Sequence, residues 1–448
     1  MQRREFITKT TALGATAALL PDTLFSRNVE EKKVRLAIIG VGERGSYLIK
    51  EAVSQGGAEA VAICDIDPAA IARTKEKIKK YQSREVAVYS GERDFEKIVQ
   101  RDDIDAVLIA TPWQWHTPMA LAALKAGKPT GCEVPVALTV KDCWALVDAV
   151  EKTGVPLMMM ENVCYRRDVM AVLNMARQGL FGRVTYAECG YQHDLREVLF
   201  NDGKTAHGKG LEFGEKAYSE ARWRTQHHVD RNGELYPTHG IGPVAQVFNI
   251  NHGNQFSHLT SMATPALSLH EYLVEKGGPE HPNAKVNFKC GDVVTTLIKC
   301  TNGEVVKMTH DVSSPRPYSL GFRIQGTQGI WTEDAKGIYL QKKAPKPHEY
   351  EPAQKYFDEY DHPLWKNLGK EAQGAGHGGM DYFVIRSFVE SVRRKMPFPQ
   401  DVYDAAAWSV IGPLSEASID KGSKPMDIPD FTRGKWKSRP ALFAMGDV

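Results

Sequence analysis

Val34–Gly45, with the sequence VRLAIIGVGERG, is the stretch that decides the fold. A run of apolar, strand-forming residues leads into glycines at G-x-G-x-x-G spacing, and a helical pattern follows. Gly40 permits the tight turn off the strand, Gly42 lets the backbone approach a pyrophosphate, and Gly45 lets the helix pack on the sheet. The helix N-terminus then faces the phosphate charge. The stretch predicts a dinucleotide-binding turn.

The next strand pattern, Ala58–Cys64, is followed at once by an acidic residue. Asp65 lies about 20 residues beyond Gly45, where a carboxylate accepts hydrogen bonds from the ribose hydroxyls of a dinucleotide. A carboxylate at this place repels a 2′-phosphate, so the sequence favours NAD over NADP. A Rossmann-like domain that has lost its ligand is the alternative.

Short apolar runs alternate with amphipathic segments from Val34 to Met160. Such alternation predicts a parallel, doubly wound sheet that is buried on both faces. We therefore predict an α/β Rossmann domain over residues 31–163. The predicted strands are Val34–Ile39, Ala58–Cys64, Val86–Tyr89, Ala106–Ala110, Pro129–Glu133 and Val155–Met160, and the predicted helices begin near Glu43, Pro68, Phe95, Thr117 and Thr139.

After Arg166 a helix leads into a longer strand and then into a region with few apolar runs. We predict an α+β domain over residues 164–448, built on a large, open, mostly antiparallel sheet. Asn302-Gly303 predicts a two-residue hairpin turn, and 203–214 and 342–379 are predicted loops. The predicted strands are Val184–His193, His258–Leu269, Val293–Cys300, Glu304–Asp311, Tyr318–Gln325 and Gly329–Thr332, and the predicted helices are Asp168–Gln178, Met380–Lys395 and Val402–Ile419.

The composition is typical of a soluble globular protein with two domains: 448 residues, 42% hydrophobic and 25% charged. The net charge of +2 gives no reason to expect nucleic acid or an anionic membrane surface as partner. A small molecule is the expected partner. The 7 cysteines have no C-x-x-C spacing, which predicts buried apolar residues rather than a metal site, although an exported protein could pair two of them.

Residues 1–30 have the pattern of an export signal. Arg3-Arg4 is followed by Phe6-Ile7 and by the small and apolar run 11–20, which resembles a twin-arginine signal. The run is too short to span a bilayer as a helix of the mature chain. The pattern predicts export, to the bacterial periplasm, by a route that carries folded proteins with their cofactors. A disordered N-terminus with two arginines by chance is the alternative.

Short motifs between residues 110 and 135 resemble the glucose-fructose oxidoreductase, inositol dehydrogenase and rhizopine catabolism protein superfamily. They are Ala110-Thr111-Pro112 with His116, Ala126-Gly127-Lys128 and Glu133-Val134-Pro135. In sugar dehydrogenases of that superfamily the last motif is EKP, and its lysine lies near the nicotinamide and helps to move the proton of the oxidised hydroxyl. Val134 stands at that position, which implies that this chain lacks the usual acid-base group of an alcohol dehydrogenase.

Three further motifs resemble glycoside hydrolase family 109: Trp113-Gln114-Trp115-His116, Glu161-Asn162 and, most specifically, Tyr236-Pro237-Thr238-His239-Gly240. The family includes α-N-acetylgalactosaminidases that keep NAD tightly bound. The resemblance implies a retaining glycosidase in which NAD takes hydride from C3, loss of the C2 proton expels the C1 substituent, water adds, and the hydride returns. An ordinary glycosidase needs two carboxylates at a set separation, and no acidic pair stands out in a recognisable motif.

The proton transfers of this mechanism require groups that titrate near neutrality or are held in position. By the resemblance, His239 and Tyr191 are assigned to proton transfer near C3 and C2, and Tyr236 and Tyr318 to sugar contacts or a proton relay. His193 joins them, since side chains at i and i+2 of a strand point to the same face. An isolated Tyr or His is more often a hydrogen-bonded core residue, but the Tyr-x-His and Tyr-x-x-His groupings favour chemistry.

The other candidates contact the cofactor or the sugar. Ligands of a doubly wound sheet bind at the carboxyl ends of its strands. The candidates there for NAD are Gly40, Gly42, Glu43, Arg44, Gly45, Asp65, Trp113, Gln114, Trp115, His116, Glu133, Val134 and Asn162. The candidates for the sugar are Tyr191, Arg222, Arg224, Tyr236, Pro237, Thr238, His239 and Tyr318. Packing is the alternative for the tryptophans, and a solvated charge pair for the arginines. His227-His228 lacks a third ligand at recognisable spacing, so no metal is expected.

Two other classes of function stay open: a periplasmic NAD(P)-dependent sugar oxidoreductase and a non-catalytic sugar-binding relative. Val134 argues against the first, and the grouped Tyr and His residues argue against the second. A small glycoside or glycan is the expected partner, without nucleic acid or a membrane span in the mature chain. The exact sugar, the anomer, the natural aglycone and the pairing of chains into a homo-oligomer stay open.

Overall fold

The computed structural model describes residues 32–446, so the predicted export signal lies outside the described residues. The first part of the chain alternates strands and helices as predicted. It comprises β1 (Val34–Ile39), α1 (Glu43–Ser54), β2 (Ala58–Cys64), α2 (Pro68–Ile78), β3 (Ala87–Tyr89), α3 (Phe95–Val99), β4 (Ala106–Ile109), α4 (Trp113–Lys125), β5 (Thr130–Cys132), α5 (Val140–Thr153) and β6 (Leu157–Met159).

These strands form one 6-stranded parallel sheet in the order β3-β2-β1-β4-β5-β6, which is the doubly wound order of a Rossmann domain. Strand order reverses between β1 and β4, and ligands bind outside the carboxyl ends of the strands at such a point. One helix start was predicted wrongly. The pair Thr117-Pro118 has the composition of a helix start, but α4 already begins at Trp113, and Trp115 N–H donates to Pro112 O.

The second part contains more helices than predicted. It comprises α6 (Arg167–Arg177), β7 (Val184–Gln192), α7 (Arg196–Leu199), α8 (Arg224–Asp230), α9 (Thr238–Val247), β8 (Phe256–Ala263), α10 (Ser268–Gly277), β9 (Val294–Cys300), β10 (Val305–Asp311), β11 (Arg323–Gly326), β12 (Gly329–Thr332), β13 (Gly337–Leu340), β14 (Glu351–Pro352), α11 (Gln354–Tyr360), α12 (Pro363–Leu368), α13 (Met380–Arg394), α14 (Val402–Ser409), α15 (Ile411–Asp420) and β15 (Met426–Asp427), together with short 3-10 turns.

Its 9-stranded sheet has the order β14-β13-β12-β11-β7-β10-β9-β8-β15. All neighbours are antiparallel except β7 and β10, which pair in parallel at the middle of the sheet. The predicted fold class, a Rossmann domain followed by an open and mostly antiparallel sheet, is therefore confirmed. β7 carries Tyr191 near its end.

Several details of the second part were predicted wrongly. The β9–β10 hairpin has the loop 301–303, because Cys300 N–H donates to Glu304 O, so the turn is longer than the predicted two residues. Gly303 has a φ of 109°, the left-handed conformation that closes a loop of this length. The predicted strand His258–Leu269 ends at Ala263, and α10 begins within it.

The predicted loop 342–379 contains two helices, α11 and α12. Its proline content suggested a loop, but Pro363 occupies the first position of α12, where a missing N–H costs nothing. His362 caps the same helix by accepting a hydrogen bond from Leu364 N–H. Proline therefore starts a helix here instead of preventing one.

α9 was also not predicted, and its sequence contains Gly240, Gly242 and Pro243, which are residue types with low helix propensity. The glycine at its start has a packing role. A Cβ on Gly240 would lie 2.7 Å from the backbone nitrogen of Gly190 in β7. Only a glycine allows this approach, which brings the first turn of α9 against the sheet next to Tyr191.

From Lys33 onward the chain forms one compact unit, and α13 returns to pack against α1 of the Rossmann sheet. Within residues 32–446, no helix combines the length and the apolar character that crossing a membrane requires. The cysteines are all buried and unpaired, which agrees with the prediction that they are buried apolar residues. The return of α13 matters for function because it reaches the glycine turn.

Candidate active site

A cleft of about 410 Å³ lies at the carboxyl ends of β1, β2, β4 and β5, where the second part of the chain meets the Rossmann sheet. The first part contributes Gly42, Glu43, Arg44, Asp65, Ile66, Asp67, Ala70, Arg73, Ala110, Thr111, Pro112, Trp113, Gln114, Trp115, His116, Glu133 and Val134. The second part contributes Tyr218, Ser219, Glu220, Arg222, Trp223, Arg224 and Tyr236.

The glycine turn has the shape that a dinucleotide requires. Gly40 has a φ of 85°, and a Cβ on Gly45 would lie 1.9 Å from the Gly40 carbonyl oxygen, so both positions need glycine for the fold. A Cβ on Gly42 would meet nothing within 4 Å, because this residue borders the open cleft. No side chain caps the N-terminus of α1. Its first N–H groups are therefore available to a pyrophosphate.

Asp65 is fixed at the end of β2 by two backbone hydrogen bonds. Its Oδ2 accepts from Val41 N–H at 2.7 Å and its Oδ1 from Asp67 N–H at 2.9 Å. A carboxylate has about four acceptor sites, so lone pairs remain for ribose hydroxyls. The turn and Asp65 together fit NAD.

An ionic network fixes one side of the cleft. Arg44 donates from Nε to Glu133 Oε1 at 2.7 Å and from Nη1 to Asp381 Oδ2 at 2.8 Å. Asn162 Nδ2 donates to Asp381 Oδ1 at 2.7 Å, and His377 Nδ1 lies 2.7 Å from Asp381 Oδ2. The amide of Asn162 is thus held by α13 and does not line the cleft. Arg44 and Glu133 do line it.

The motif 113–116 forms the first turn of α4, and its residues make different contacts. Trp113 is buried and packs its ring against Tyr236, with the ring centroids 5.5 Å apart. Gln114 and Trp115 line the cleft, and Trp115 also packs on Phe95. Both ring nitrogens of His116 face backbone carbonyls, Pro135 O at 2.8 Å and Thr111 O at 2.7 Å. His116 therefore joins two loops of the cleft wall.

Val134 is 2% exposed and borders the cleft beside Glu133. Its isopropyl group can neither donate nor accept a proton. The position at which the resemblance expects a lysine is therefore apolar in this chain.

His239 lies on the first turn of α9 and forms a dyad with a buried carboxylate. Its Nδ1 is 2.8 Å from Oε1 and 2.9 Å from Oε2 of Glu161, which is completely buried at the end of β6. An ionised carboxylate only accepts, so Nδ1 carries the hydrogen and Nε2 keeps a lone pair. The His239–Glu161 dyad therefore offers a base at Nε2, oriented in the way that an aspartate orients the histidine of a serine protease.

The predicted tyrosines and histidines come together beside this dyad. Ring centroids of Tyr191 lie 5.2 Å from His239, 5.0 Å from Tyr236 and 6.5 Å from Tyr318. His193 lies just beyond β7, with its Nδ1 3.4 Å from Tyr191 Oη. The residues form one aromatic cluster next to the cleft. His239 lies on the first turn of α9, and Tyr236 lies two residues ahead of this helix.

Burial changes the acid strength of this cluster. It raises the pKa of Tyr191, which the Arg224 guanidinium partly offsets, and it raises the pKa of Tyr318 to about 12. The pKa of Tyr236 rises for the same reason, while burial lowers the pKa of His193. At neutral pH the tyrosines are therefore hydroxyl donors, and Arg224 is the group that favours a phenolate on Tyr191.

The two predicted arginines have different environments. Arg224 is buried, with its guanidinium carbon 5.1 Å from the Trp113 ring centroid and 4.9 Å from that of Tyr236, and Glu220 is its ionic partner. Arg222 is exposed at the rim of the cleft. Pro237 is the residue immediately before α9 and makes no side-chain cap. The buried Thr238 hydroxyl has no partner among the described residues.

Glu234 lies just ahead of the Tyr236–His239 segment and is completely buried. Neither of its carboxyl oxygens has a side-chain hydrogen-bond partner within residues 32–446. Burial raises the pKa of Glu234 to about 8. The side chain is therefore mainly protonated at neutral pH.

Several of these residues had no role predicted from the sequence. Glu161 was quoted in a motif but not assigned, although it follows a strand of the parallel sheet as Glu133 does, and that signal could have identified it. Glu220 has no local signal beyond its spacing of four from Arg224. Asp381 has none, because its contacts with Arg44 and Asn162 form only in the folded chain. In the described part of the chain, no cluster of His, Cys, Asp and Glu has the geometry of a metal site.

Comparison with known proteins assigns both parts of the chain. Residues 34–161 match the family described as oxidoreductase family, NAD-binding Rossmann fold, and residues 165–438 match glycosyl hydrolase 109, C-terminal domain. A glycosyl hydrolase family 109 protein of Stenotrophomonas maltophilia (strain K279a) is 50% identical over 450 residues, covering 99% of this chain and 98% of that protein. An alpha-N-acetylgalactosaminidase of Tannerella forsythia is 50% identical over 465 residues, covering 99% of each.

Among solved structures, levoglucosan dehydrogenase in complex with NADH and levoglucosan is similar in fold. It matches with a TM-score of 0.64 and 19% identity, covering 89% of this chain and 100% of that chain. This likeness concerns the fold alone. The family match and the glycine turn together confirm NAD as the cofactor.

Glu234 makes the stability of the fold depend on pH. Its pKa of about 8 in the folded protein lies above the ordinary value of 4.5, so the stability present at low pH is lost progressively between about pH 4.5 and pH 8. We expect Glu234→Gln to match the wild type in melting temperature near pH 5, to exceed it increasingly up to about pH 8, and to keep that advantage at pH 9. Thermal unfolding at several pH values measures this difference.

The exposed Glu92→Gln is the matched control and should follow the wild type at every pH. A difference between Glu234→Gln and the wild type that stays constant from pH 5 to pH 9 would contradict the assignment.

Proposed function

The chain belongs to glycosyl hydrolase family 109, and from that premise we propose that it removes terminal α-linked N-acetylgalactosamine with retention at C1. It is a glycoside hydrolase with an NAD-binding domain. The substrate is supported by the α-N-acetylgalactosaminidase of Tannerella forsythia at 50% identity. The observation that carries the mechanism is the His239–Glu161 dyad beside Tyr191, at the edge of the cofactor cleft.

NAD, when bound, would supply a reversible hydride acceptor for C3. Glu133, Arg44, Asp65 and the glycine turn would hold it in the cleft. His239 takes the proton of the C3 hydroxyl at Nε2, because Glu161 holds the hydrogen on Nδ1 and stabilises the imidazolium that forms. Proton transfer at C3 therefore needs no lysine at position 134.

Tyr191 removes the proton from C2, which is acidic while C3 is a ketone. The C2–H electron pair forms the C1–C2 double bond, and the C1–oxygen bond breaks toward the aglycone. Water then adds at C1, and the proton returns to C2. Arg224 supports this step because its positive charge favours the phenolate of Tyr191. Tyr236, Tyr318 and the rim residue Arg222 contact the sugar.

A net sugar oxidoreductase is the second candidate, since the fold is that of sugar dehydrogenases. Val134 disfavours it, because an apolar side chain stands at the position of the usual acid-base lysine. A non-catalytic sugar-binding protein is the third candidate. It would not need the His239–Glu161 dyad, in which burial of a carboxylate costs folding free energy.

The proposed reaction breaks the C2–H bond in every turnover. We expect hydrolysis of aryl α-N-acetylgalactosaminide without accumulation of NADH, and we expect the sugar released in heavy water to carry deuterium at C2. Absorbance at the NADH band and mass spectrometry of the product measure the two outcomes. Aryl glycosides of N-acetylglucosamine, galactose and glucose, in both anomers, test the choice of sugar.

Steady NADH formation without aglycone release would favour the oxidoreductase. A released sugar with only protium at C2, and full activity after the bound NAD has been converted to NADH, would contradict the elimination. A displacement by two carboxylates leaves the C2–H bond intact. It therefore predicts protium at C2 and full activity with NADH bound.

The dyad and Tyr191 are the residues to replace. We expect His239→Ala and Tyr191→Phe to lower kcat at least about a hundredfold, the scale of a positioned acid or base. Glu161→Gln should lower kcat at least about tenfold, because Nδ1 then loses the charge that stabilises the imidazolium. NAD content of the purified variants should stay unchanged, since these side chains do not line the cleft.

The exposed tyrosine variant Tyr350→Phe is the control and should keep wild-type kcat. Near-wild-type turnover of either His239→Ala or Tyr191→Phe on an unactivated substrate removes that residue from the mechanism.

We also propose that the chain is exported to the periplasm by a twin-arginine signal. The support is Arg3-Arg4 followed by Phe6-Ile7 and the apolar run 11–20. A cofactor that is regenerated in each cycle suits an enzyme that works away from the cytoplasmic NAD pool.

Replacing Arg3 and Arg4 by lysine in the full chain should leave the protein in the cytoplasm of a bacterial host, whereas the wild type should reach the periplasm. Cell fractionation and immunoblotting measure the distribution. Arg27→Lys, outside the motif, is the control. A double variant that is exported like the wild type would refute this route.

A further inference from the structure

We propose that Tyr218 is a cofactor-retaining residue, which joins the second domain to the Rossmann domain across the mouth of the NAD cleft and slows dissociation of the dinucleotide. Tyr218 belongs to a segment, residues 217–223, that we name the strap. The benefit of retention rests on the proposed function, in which one NAD molecule serves many turnovers. The contacts themselves do not depend on the substrate.

Tyr218 contacts two elements of the Rossmann domain at once. Its Oη lies 3.5 Å from Oε1 of Glu43, the first residue of α1. Its ring lies beneath the guanidinium of Arg73 in α2, with 5.8 Å between the guanidinium carbon and the ring centroid. Glu43 and Arg73 both line the cleft, and Tyr218 lines it from the other domain. The tyrosine therefore bridges the two walls.

Buried contacts hold the backbone of the strap, so the position of residue 218 does not depend on the tyrosine side chain. Asn201 is completely buried, donates from Nδ2 to Tyr218 O at 2.8 Å and accepts from Tyr218 N–H through Oδ1 at 3.0 Å. Ala221 is completely buried, and the Trp223 ring packs on Trp113 with centroids 5.1 Å apart. Both ends of the strap are anchored.

Tyr218 lies beside the residues that are expected to bind the dinucleotide. Gly42 lies at the pyrophosphate turn and Asp65 at the ribose site, and both line the same cleft as Tyr218. A dinucleotide held by these two residues shares the cleft with the tyrosine ring. Release past the strap requires that Tyr218 lose its contacts with Glu43 and Arg73. We expect these contacts to affect the dissociation rate of the dinucleotide most strongly.

Dissociation of NADH from the full-length protein tests the proposal without any glycoside. Protein exchanged into NADH and desalted is mixed with excess NAD, and the fluorescence of bound NADH is followed in time. We expect Tyr218→Ala to raise the dissociation rate at least about tenfold. Tyr218→Phe loses the contact with Glu43 but keeps the ring under Arg73, so its rate should lie between those of the wild type and Tyr218→Ala.

Tyr350→Ala is the matched control, since this tyrosine is 50% exposed and lies away from the cleft lining. Its dissociation rate should equal that of the wild type. Should Tyr218→Ala fail to fold, Arg73→Gln carries the same test from the other wall, because it removes the cation over the Tyr218 ring and should speed dissociation.

A dissociation rate for Tyr218→Ala within twofold of the wild type would overturn the proposal. So would an increase in the association rate alone, which would make the strap a barrier to entry only. These outcomes are distinct from failure of the proposed function, because NADH release is measured whether or not the protein hydrolyses any glycoside.

Discussion

The carboxylate of Asp381 is completely buried, and the geometry of the cofactor cleft depends on it. Burial opposes its ionisation, but the Arg44 guanidinium and His377 outweigh burial and hold the pKa of Asp381 well below its usual range. Asp381 belongs to α13. It binds Arg44, which follows the glycine turn, and Asn162, which follows the last strand of the Rossmann sheet. A buried ion of this kind is stable only with its partners in place. The first domain therefore needs the C-terminal part of the chain to shape its ligand site.

This dependence explains which parts could be predicted from the sequence. The Rossmann strands were placed to within a residue or two because a buried parallel strand is a local apolar run and the glycine turn has its own spacing. In the second part, strand pairing and helix starts depend on contacts distant in sequence. Gly240 illustrates this. Glycine is a poor helix former, but here the absence of a Cβ allows the close approach to Gly190 by which α9 packs against β7.

The site divides along the same line. Gly42, Asp65 and Glu133 follow strands of the parallel sheet and were predicted from that signal. The Tyr-x-x-His grouping favours chemistry, and the ring centroids of Tyr236 and His239 lie 4.7 Å apart. The partner of His239 was missed because a motif names residues without saying which atoms they face. Tyr218 and Asp381 carry no signal, since their contacts cross from one domain to the other.

Arg224 connects the two halves of the proposed mechanism. Burial keeps the proton on Tyr191, so a buried tyrosine acts as a base only where a fixed positive charge favours its phenolate. That charge is Arg224, which lies against the rings of Trp113 and Tyr236. Trp113 opens α4 at the wall of the cofactor cleft, and Tyr236 belongs to the aromatic cluster. The cation that supports chemistry at C2 is therefore positioned by a residue of the cofactor cleft. Proton removal at C2 and hydride transfer at C3 thus depend on one packed arrangement of side chains.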